Sequence, residues 1–401
     1  MADTKIYRAS TTAPVNIAVI KYWGKRDVTL NLPTNSSLSV TLSQSDLRTH
    51  TTASCSSTFT SDTLHLNSAP QDITGARLQA CLRALRSLRA AHEASNPSLP
   101  PLSTLPLRLA SRNNFPTAAG LASSAAGFAA LVRAIADLYE LPSSPTELSL
   151  IARQGSGSAC RSLFGGYVAW NAGTATDGSD SSAELVAEAA HWPDMRAAIL
   201  VASAKKKAVS STAGMQATVK TSSLFPHRAE TVVPARMAAM RAAIAGRDFA
   251  AFADLTMKDS NSFHAVCLDT TPPIFYMSDV SRAAVRVVEG INAAAAADGI
   301  TRPVAAYTFD AGPNAVVYYL AEDEARVAGA FKALLGSVEG WETARGAVVQ
   351  AADVARVVAY DEGAAETLAG GIQRVILTGV GEGPISVSEH LVNEAGEVIL
   401  E

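Results

Sequence analysis

The sequence predicts an α+β protein of two halves, in which helices are layered on sheets. In the first half, short apolar runs typical of strands alternate with helical patterns, and in the second half long alanine-rich helical patterns surround a few apolar runs. A buried-looking strand over residues 197–203 begins the second half. We therefore expect the chain to divide into residues 1–194 and 195–401, within about ten residues.

Strands are predicted where short apolar runs lie between turn-forming residues. These runs are 15–21, 38–42, 105–110, 165–170, 197–203, 304–309, 315–320 and 375–380. The segment Asp310-Ala-Gly-Pro-Asn314, between two of the runs, has the composition of a turn.

Helices are predicted where apolar residues recur every three or four positions. One stripe consists of Phe128, Leu131, Val132, Ile135 and Leu138. A second consists of Leu78, Leu82, Leu85 and Leu88, and its opposite face is expected to carry Arg77, Arg83, Arg86 and Arg89. Ser144-Pro-Thr-Glu147 is a capping box with proline at the first helical position, which predicts a helix over 145–154. Further helices are expected near 234–245, 249–257, 277–297 and 322–335, and loops over 96–104 and 173–182.

The composition is that of an ordinary globular protein: 401 residues, 48% hydrophobic and 17% charged, with a formal net charge of -4. This balance argues against broad binding to nucleic acid or to a membrane surface. We see no apolar run long enough to span a membrane and no signal pattern at the N-terminus, so we expect a cytoplasmic protein. The cysteines Cys55, Cys81, Cys160 and Cys267 are scattered, which fits reduced thiols and gives no zinc motif.

The segment Phe115-Pro-Thr-Ala-Ala-Gly-Leu-Ala-Ser-Ser-Ala-Ala-Gly127 carries the most functional information. Its small residues lead directly into a helical stripe, so backbone N–H groups at a helix N-terminus would be available to a phosphate. Hydroxyls of Ser123 and Ser124 can add ligands for phosphate or magnesium. No Gly-Lys-Ser/Thr follows, which excludes a Walker A loop. The alternative is a small-residue helix start packed against a neighbour.

Three other segments are candidates for chemistry. Lys21-Tyr-Trp-Gly-Lys25 ends a strand with two lysines suited to a polyanion, although such lysines are commonly solvated. Gly155-Ser-Gly-Ser-Ala-Cys-Arg161 combines a polar backbone nest with a guanidinium suited to carboxylate or phosphate, or is a helix C-cap followed by a loop. Asp310 is either a turn residue or, if it faces Lys21, a candidate base.

Other polar segments give weaker indications. Lys205-Lys-Lys207 is read as a solvated run, and Ser210-Ser-Thr212 as hydroxyl donors or a helix cap. A serine hydrolase is unsupported, because the sequence contains no Gly-x-Ser-x-Gly elbow.

Together these motifs resemble the GHMP family of small-molecule kinases, whose phosphate loop has the form Pro-x-x-x-Gly-Leu-x-Ser-Ser and stands here as residues 116–124. Within the GHMP family, these motifs are most similar to those of eukaryotic-type diphosphomevalonate decarboxylases. The segments that carry the resemblance are Asn16-Ile-Ala, Lys21-Tyr-Trp-Gly-Lys25, Asn31-Leu-Pro-Thr-Asn-Ser-Ser37, Gly155-Ser-Gly-Ser-Ala-Cys-Arg161 and Phe309-Asp-Ala-Gly-Pro-Asn314. The motifs follow the family's order over residues 13–315. Residues 340–371 add no comparable motif.

The resemblance implies an N-terminal half like ribosomal protein S5 domain 2, a ferredoxin-like C-terminal half, and an active site in the cleft between them. It implies that ATP and (R)-5-diphosphomevalonate give isopentenyl diphosphate, CO2, ADP and phosphate, with Mg2+ as cofactor. It also suggests a homodimer.

The resemblance also implies roles for individual residues. Asp310 would accept the proton of the 3-hydroxyl or orient that hydroxyl for attack on the γ-phosphate. Lys21 would keep this carboxylate ionised and offset developing charge. Ser124 would position the ATP phosphates, and Arg161 would hold the substrate carboxylate. The ATP phosphate loop would comprise Gly120, Leu121, Ala122, Ser123 and Ser124. The substrate contacts would come from Asn16, Tyr22, Trp23, Gly24, Lys25, Arg77, Ser156, Gly157, Ser158, Ala159, Cys160 and Thr212. No metal ligand is assigned.

Two other functions remain as alternatives. A GHMP kinase that stops after phosphoryl transfer, such as a mevalonate or phosphomevalonate kinase, would form ADP without CO2. A catalytically silent nucleotide sensor on the same fold would bind ATP without turnover, although the set of Asp310, Lys21 and Ser124 argues against it.

Overall fold

The computed structural model describes residues 5–115, 123–202, 208–358 and 361–399. The strands in these residues are β1 (Tyr7–Pro14), β2 (Asn16–Ile20), β3 (Lys25–Asp27), β4 (Leu32–Pro33), β5 (Ser37–Thr41), β6 (Arg48–Cys55), β7 (Thr63–Leu66), β8 (Ala69–Gln71), β9 (Leu107–Asn113), β10 (Tyr167–Trp170), β11 (Ala183–Ala187), β12 (Met195–Val201), β13 (Ala306–Phe309), β14 (Ala315–Leu320), β15 (Arg374–Gly379) and β16 (Ile385–Val387).

The helices in the same part of the chain are α1 (Ala76–Ser95), α2 (Ser123–Leu138), α3 (Pro145–Gly155), α4 (Ser211–Thr221), α5 (Phe225–His227), α6 (Val233–Gly246), α7 (Phe249–Leu268), α8 (Asp279–Ala297), α9 (Glu324–Leu335), α10 (Ala344–Val348), α11 (Val354–Val357) and α12 (Glu362–Gly371). A π-helical segment, Arg228–Val232, joins α5 to α6. Short 3-10 helices are Leu102–Thr104, Gly157–Leu163, Ala189–His191 and Ala321–Asp323.

The described strands form three larger sheets and a small hairpin. The first half supplies a four-stranded sheet in the order β11-β10-β5-β2 and five strands of a six-stranded sheet in the order β16-β1-β6-β9-β7-β8, whose edge strand β16 comes from the end of the chain. The second half contains a four-stranded sheet in the order β13-β14-β12-β15, and β3 pairs with β4. The pairs are antiparallel apart from β7 with β9. Helices cover these sheets, so the predicted α+β class is confirmed.

A shared apolar core joins the two halves. Side chains of β2 and β5, including Ile17 and Val40, pack in one cluster with Ile199 of β12, Met240 of α6 and Phe252 of α7. Burial of this set provides the main stabilisation of the junction, because the hydrophobic effect scales with the apolar area removed from water. Since α7 packs against both β2 and β13, the ends of these strands keep a defined separation.

The end of the chain returns to the first half. Val380 bridges to Leu42, and β16 adds to the edge of the six-stranded sheet through Thr11 opposite Ser386. Further on, Leu391 and Val392 pack on Ala110 of β9. The sequence division at 194/195 did not anticipate this return, because a three-residue edge strand carries little local signal.

Local predictions on two helices had different outcomes. The capping box of α3 is present, with Ser144 Oγ accepting the Glu147 N–H and the Glu147 carboxylate accepting the Ser144 N–H. On α1 the assignment of faces was wrong at one turn: Leu88 is 39% exposed, whereas Arg89 is fully buried. Arg89 donates to the carbonyls of Tyr139 and Pro100 and pairs with Glu93, and these partners compensate its charge. No helix among the described residues is long and apolar enough to cross a membrane.

Candidate active site

A lysine from the first half and an aspartate from the second half meet at the junction. Lys21 follows β2, Asp310 follows β13, and Lys21 Nζ donates to Asp310 Oδ1 at 2.7 Å. The lysine side chain is 3% exposed and the aspartate side chain 34% exposed. The carboxylate is therefore accessible to a ligand, while the ammonium stabilises it from the protein side.

The Lys21 ammonium is held in an environment of low polarity. Burial lowers its pKa, and the charges of Asp310 and Asp259 act in the opposite direction. Arg161 adds a further lowering effect, so two cations lie within electrostatic range of Asp310. An arrangement of this kind concentrates positive charge where an anionic transition state would form.

Arg161 is buried and oriented by neutral side chains. Its Nε donates to Asn16 Oδ1 at 3.2 Å and to Ser39 Oγ at 2.9 Å, and its Nη1 donates to Ser37 Oγ at 2.5 Å. Asn16 in turn donates to the carbonyl of Ser158 and to Ser162 Oγ. Because these acceptors carry no charge, they orient the guanidinium without neutralising it. The 3-10 helix Gly157–Leu163 presents the arginine to the junction.

Tyr22 lies against the start of that 3-10 helix. Its ring packs edge-on against Trp170, with centroids 4.6 Å apart, and a Cβ on Gly157 would approach the tyrosine ring to 2.9 Å. Glycine is therefore required for the close approach of this turn to Tyr22. The Tyr22 hydroxyl is buried and has no hydrogen-bond partner among the described residues. A buried hydroxyl without a partner is a candidate ligand contact.

A second cluster contains two cations, Lys25 of β3 and Arg77 of α1, together with the hydroxyl of Thr212 of α4. Arg77 Nη2 donates to Thr212 Oγ1 at 3.1 Å, and Lys25 Nζ approaches the same oxygen at 3.5 Å. Burial, together with the charge of Arg77, lowers the pKa of Lys25 to about 8. Thr212 lies in the first turn of α4, which Ser210 caps, so a helix N-terminus adds N–H donors. The cluster suits a polyanion.

The serines beside the predicted phosphate loop are close to the Gly155–Arg161 segment. Ser124, in the first turn of α2, is exposed, and its Oγ lies 3.2 Å from Ser156 Oγ. Ser123 begins the same helix. The loop residues Gly120, Leu121 and Ala122 lie outside the described residues, as does the run 205–207.

Several of the predicted substrate contacts have buried side chains. Trp23 is 1% exposed in an apolar cluster and donates through Nε1 to Thr218 Oγ1, and its role in substrate binding stays a prediction. The Cys160 thiol is fully buried and donates to the carbonyl of Gly157, and Ala159 is likewise buried. Gly24 has a φ of 86° and lies so close to Phe225 that a Cβ would clash at 2.4 Å. Ser158 is half-buried beside Arg161.

Sequence analysis missed a buried ionic network behind Lys21. Asp259 of α7 accepts the Lys21 N–H at 2.6 Å and pairs with both Arg228 and Arg236. Asn35 donates to the Lys21 carbonyl at 3.0 Å. Asn35 belongs to the Asn31–Ser37 motif, which indicated it. Asp259, Arg228 and Arg236 lie more than 200 residues from Lys21 in the sequence and belong to no local pattern.

Within the part of the chain that the structure describes, the acidic and metal-binding side chains do not form a metal cage. Among the described residues, no group of three or more His, Cys, Asp or Glu side chains is placed to hold a metal ion. Magnesium commonly binds through one or two protein oxygens together with substrate phosphates. The exposed hydroxyl of Ser124 fits that pattern.

Comparison with known proteins finds related proteins that match nearly the whole chain. The model of a diphosphomevalonate decarboxylase-like N-terminal domain matches residues 13–183, and that of the mevalonate 5-diphosphate decarboxylase C-terminal domain matches residues 197–387. Diphosphomevalonate decarboxylase of Aspergillus fumigatus is 66% identical over 403 residues, which cover 99% of this chain and 98% of the relative.

Solved structures agree in fold. A crystal structure of mevalonate 5-diphosphate decarboxylase is 52% identical, with a TM-score of 0.86 over 96% of this chain and 98% of that chain. The protein MDDEF in complex with MVAPP, AMPPCP and magnesium is 28% identical, with a TM-score of 0.72 over 96% of this chain and 100% of that chain. The α+β fold of these proteins is the one predicted from the sequence, and the chain belongs to the diphosphomevalonate decarboxylase family.

Proposed function

We propose that this chain catalyses the ATP-dependent decarboxylation of (R)-5-diphosphomevalonate to isopentenyl diphosphate, CO2, ADP and phosphate in the mevalonate pathway. The observation that carries the proposal is the Lys21–Asp310 pair, 2.7 Å apart at the junction of the two halves, with Arg161 in electrostatic range. Membership of the decarboxylase family supports the choice of reaction.

The chemistry requires that a poor leaving group be converted into a good one. Asp310 accepts the 3-hydroxyl proton while that oxygen bonds to the γ-phosphorus of ATP, and the bond from phosphorus to the ADP oxygen breaks. The C3–O bond of the phosphorylated substrate then breaks, and its electron pair leaves with phosphate. The C1–C2 bond breaks in turn, so that CO2 departs and its electron pair forms the C2–C3 double bond.

Lys21 and Arg161 have separate tasks in this scheme. Lys21 Nζ, directly beside Asp310, offsets the charge on the transferring phosphoryl group. Arg161, oriented through Asn16, Ser37 and Ser39, binds the C1 carboxylate as a fork. Holding that carboxylate until C3–O cleavage begins aligns the bond that must break.

The cluster of Lys25, Arg77 and Thr212 is proposed to bind the substrate diphosphate. Its two cations and its helix N-terminus match the charge and the acceptor oxygens of that group. Tyr22, Ser156, Gly157 and Ser158 would line the space between this cluster and Arg161 with a hydroxyl and backbone donors. Binding energy from the diphosphate would then position the distant 3-hydroxyl.

Residues 120–124 are proposed to bind the ATP phosphates at the start of α2. Ser124 would hold Mg2+ together with those phosphates. The metal would neutralise phosphate charge when bound. We also propose a homodimer and a cytoplasmic location, which size-exclusion chromatography with light scattering and cell fractionation would test.

The decisive experiment measures ADP and CO2 together, with (R)-5-diphosphomevalonate, ATP and magnesium. Equal amounts of both products are expected, and an Asp310→Asn control should form both at a rate about 10²- to 10⁴-fold lower. ADP without CO2 would instead identify a kinase. Neither product, with ATP bound by folded protein, would identify a nucleotide sensor.

A further inference from the structure

Two adjacent residues of α7 hold the backbones that carry the reactive pair. Asp259 Oδ2 accepts the N–H of Lys21 at 2.6 Å. Ser260 Oγ accepts the N–H of Phe309 at 3.0 Å, and Phe309 immediately precedes Asp310. The side chains of two consecutive residues of one helix therefore contact the backbone of the lysine that follows β2 and the backbone next to the aspartate that follows β13.

The Asp259 end of this connection is anchored from several sides. Arg228 donates to both carboxylate oxygens at 2.9 Å, and Arg236 donates to Oδ1 at 3.0 Å. Burial by itself raises the pKa of Asp259, but the two arginines and the Lys21 N–H outweigh it and the pKa is lowered. Asp259 is thus an ionised hydrogen-bond acceptor that Arg228, Arg236 and the Lys21 N–H hold in position.

We propose that Asp259 and Ser260 are positioning residues for phosphoryl transfer, which set the contact between Lys21 Nζ and Asp310 through the backbones of Lys21 and Phe309. This inference rests on the proposed function. Lys21 and Asp310 follow strands of different sheets, so no ladder of backbone hydrogen bonds aligns them. The helix supplies the alignment that a shared sheet would otherwise give.

Both residues act through others. Asp259 and Ser260 are fully buried, so neither contacts a ligand. His264, one turn further along α7, packs against the Phe309 ring with centroids 6.2 Å apart. Burial and the charge of Lys21 lower the pKa of His264 to about 3, so it adds no positive charge beside the pair at neutral pH.

Ser260→Ala tests the proposal, with Thr256→Val as the matched control. Ser260→Ala removes only the acceptor of the Phe309 N–H. Thr256 lies one turn earlier on α7, is fully buried, and has a hydroxyl without a partner among the described residues. Thr256→Val therefore removes an equally buried hydroxyl from the same helix without touching either backbone. Ser260→Cys, which keeps the volume and offers a weak acceptor, replaces Ser260→Ala if near-ultraviolet circular dichroism shows that the alanine variant is unfolded.

The expected result for Ser260→Ala is a fall in kcat of about 10- to 100-fold, with KM for both substrates within about twofold of wild type, because a misplaced reactive group costs rate rather than binding. The charged groups acting on Lys21 are Asp310, Asp259 and Arg161, with neutral His264 nearby. As Asp310 moves away, its raising effect on the Lys21 pKa weakens. The alkaline limb of the kcat profile therefore moves to lower pH.

The proposal is overturned if Ser260→Ala matches Thr256→Val in kcat and in pH profile. A readout without substrate separates this outcome from failure of the proposed function. The 15Nζ signal of Lys21, assigned by its loss in Lys21→Met, should titrate at lower pH in Ser260→Ala than in Thr256→Val. If this shift is observed but the wild type lacks decarboxylase activity, the proposed function fails and the positioning role of Ser260 stands. Equal titration of Lys21 in the two variants refutes the positioning role.

Discussion

Replacement of Asp310 by asparagine removes the proposed base while keeping its shape. The wild-type carboxylate lies 2.7 Å from Lys21 Nζ, whose side chain is 3% exposed. Loss of a positioned base costs about 10²- to 10⁴-fold in rate, which corresponds to about 2.7–5.5 kcal/mol of transition-state stabilisation. We expect a value towards the upper end, because the substitution affects two groups.

The second group is Lys21. Burial lowers its pKa, and Asp310 is the largest influence in the opposite direction. In Asp310→Asn that influence is absent, so the lysine loses its proton at lower pH, and the site loses a base together with the group that stabilises its ammonium. The two residues act as a unit, so Lys21→Met combined with Asp310→Asn should cost little more than the worse single variant.

The assay is single-turnover ADP formation with enzyme in excess, alongside steady-state KM for both substrates. Asp254→Asn is the control, because Asp254 is an exposed carboxylate of α7 paired with Lys258, and it should leave kcat unchanged. If folded Asp310→Asn retains kcat within about fivefold of wild type, Asp310 is not the base.

Three further predictions concern binding and stability. Arg77→Met should raise KM for diphosphomevalonate more than it lowers kcat. Deprotonation of Lys25 should lower the wild-type kcat/KM above about pH 8, and this fall should move to higher pH in the variant, because Arg77→Met removes a charge that lowers the Lys25 pKa. Asp259→Asn should lower the free energy of unfolding in urea by about 3–5 kcal/mol at neutral pH, since it leaves buried Arg228 unpaired. The wild-type pKa of Asp259 is lowered, so this stabilisation is present in full above the unfolded value of about 4 and declines progressively as pH falls from there towards the folded pKa. A difference at pH 3 equal to that at neutral pH would contradict the reasoning. Ser144→Ala should destabilise α3 by about 1 kcal/mol and lower Tm without changing kcat, and an unchanged Tm would show that the cap contributes nothing.

The sequence by itself determined the features that depend on neighbours along the chain. The capping box at Ser144 specified the start of α3, and apolar runs located the strands that precede Lys21 and Asp310. The motifs also indicated most of the side chains that line the junction. These signals are local, because a cap or an amphipathic stripe involves residues three or four positions apart.

Only the tertiary structure decided which polar groups become partners across long separations. Lys21 and Asp310 meet because α7 packs against the strands that precede them, and Asp259, Arg228 and Ser260 hold that arrangement from behind. The burial of Arg89 beside exposed Leu88 has the same origin. A polar side chain is buried where tertiary neighbours supply its hydrogen bonds, and periodicity along one helix contains no information about those neighbours.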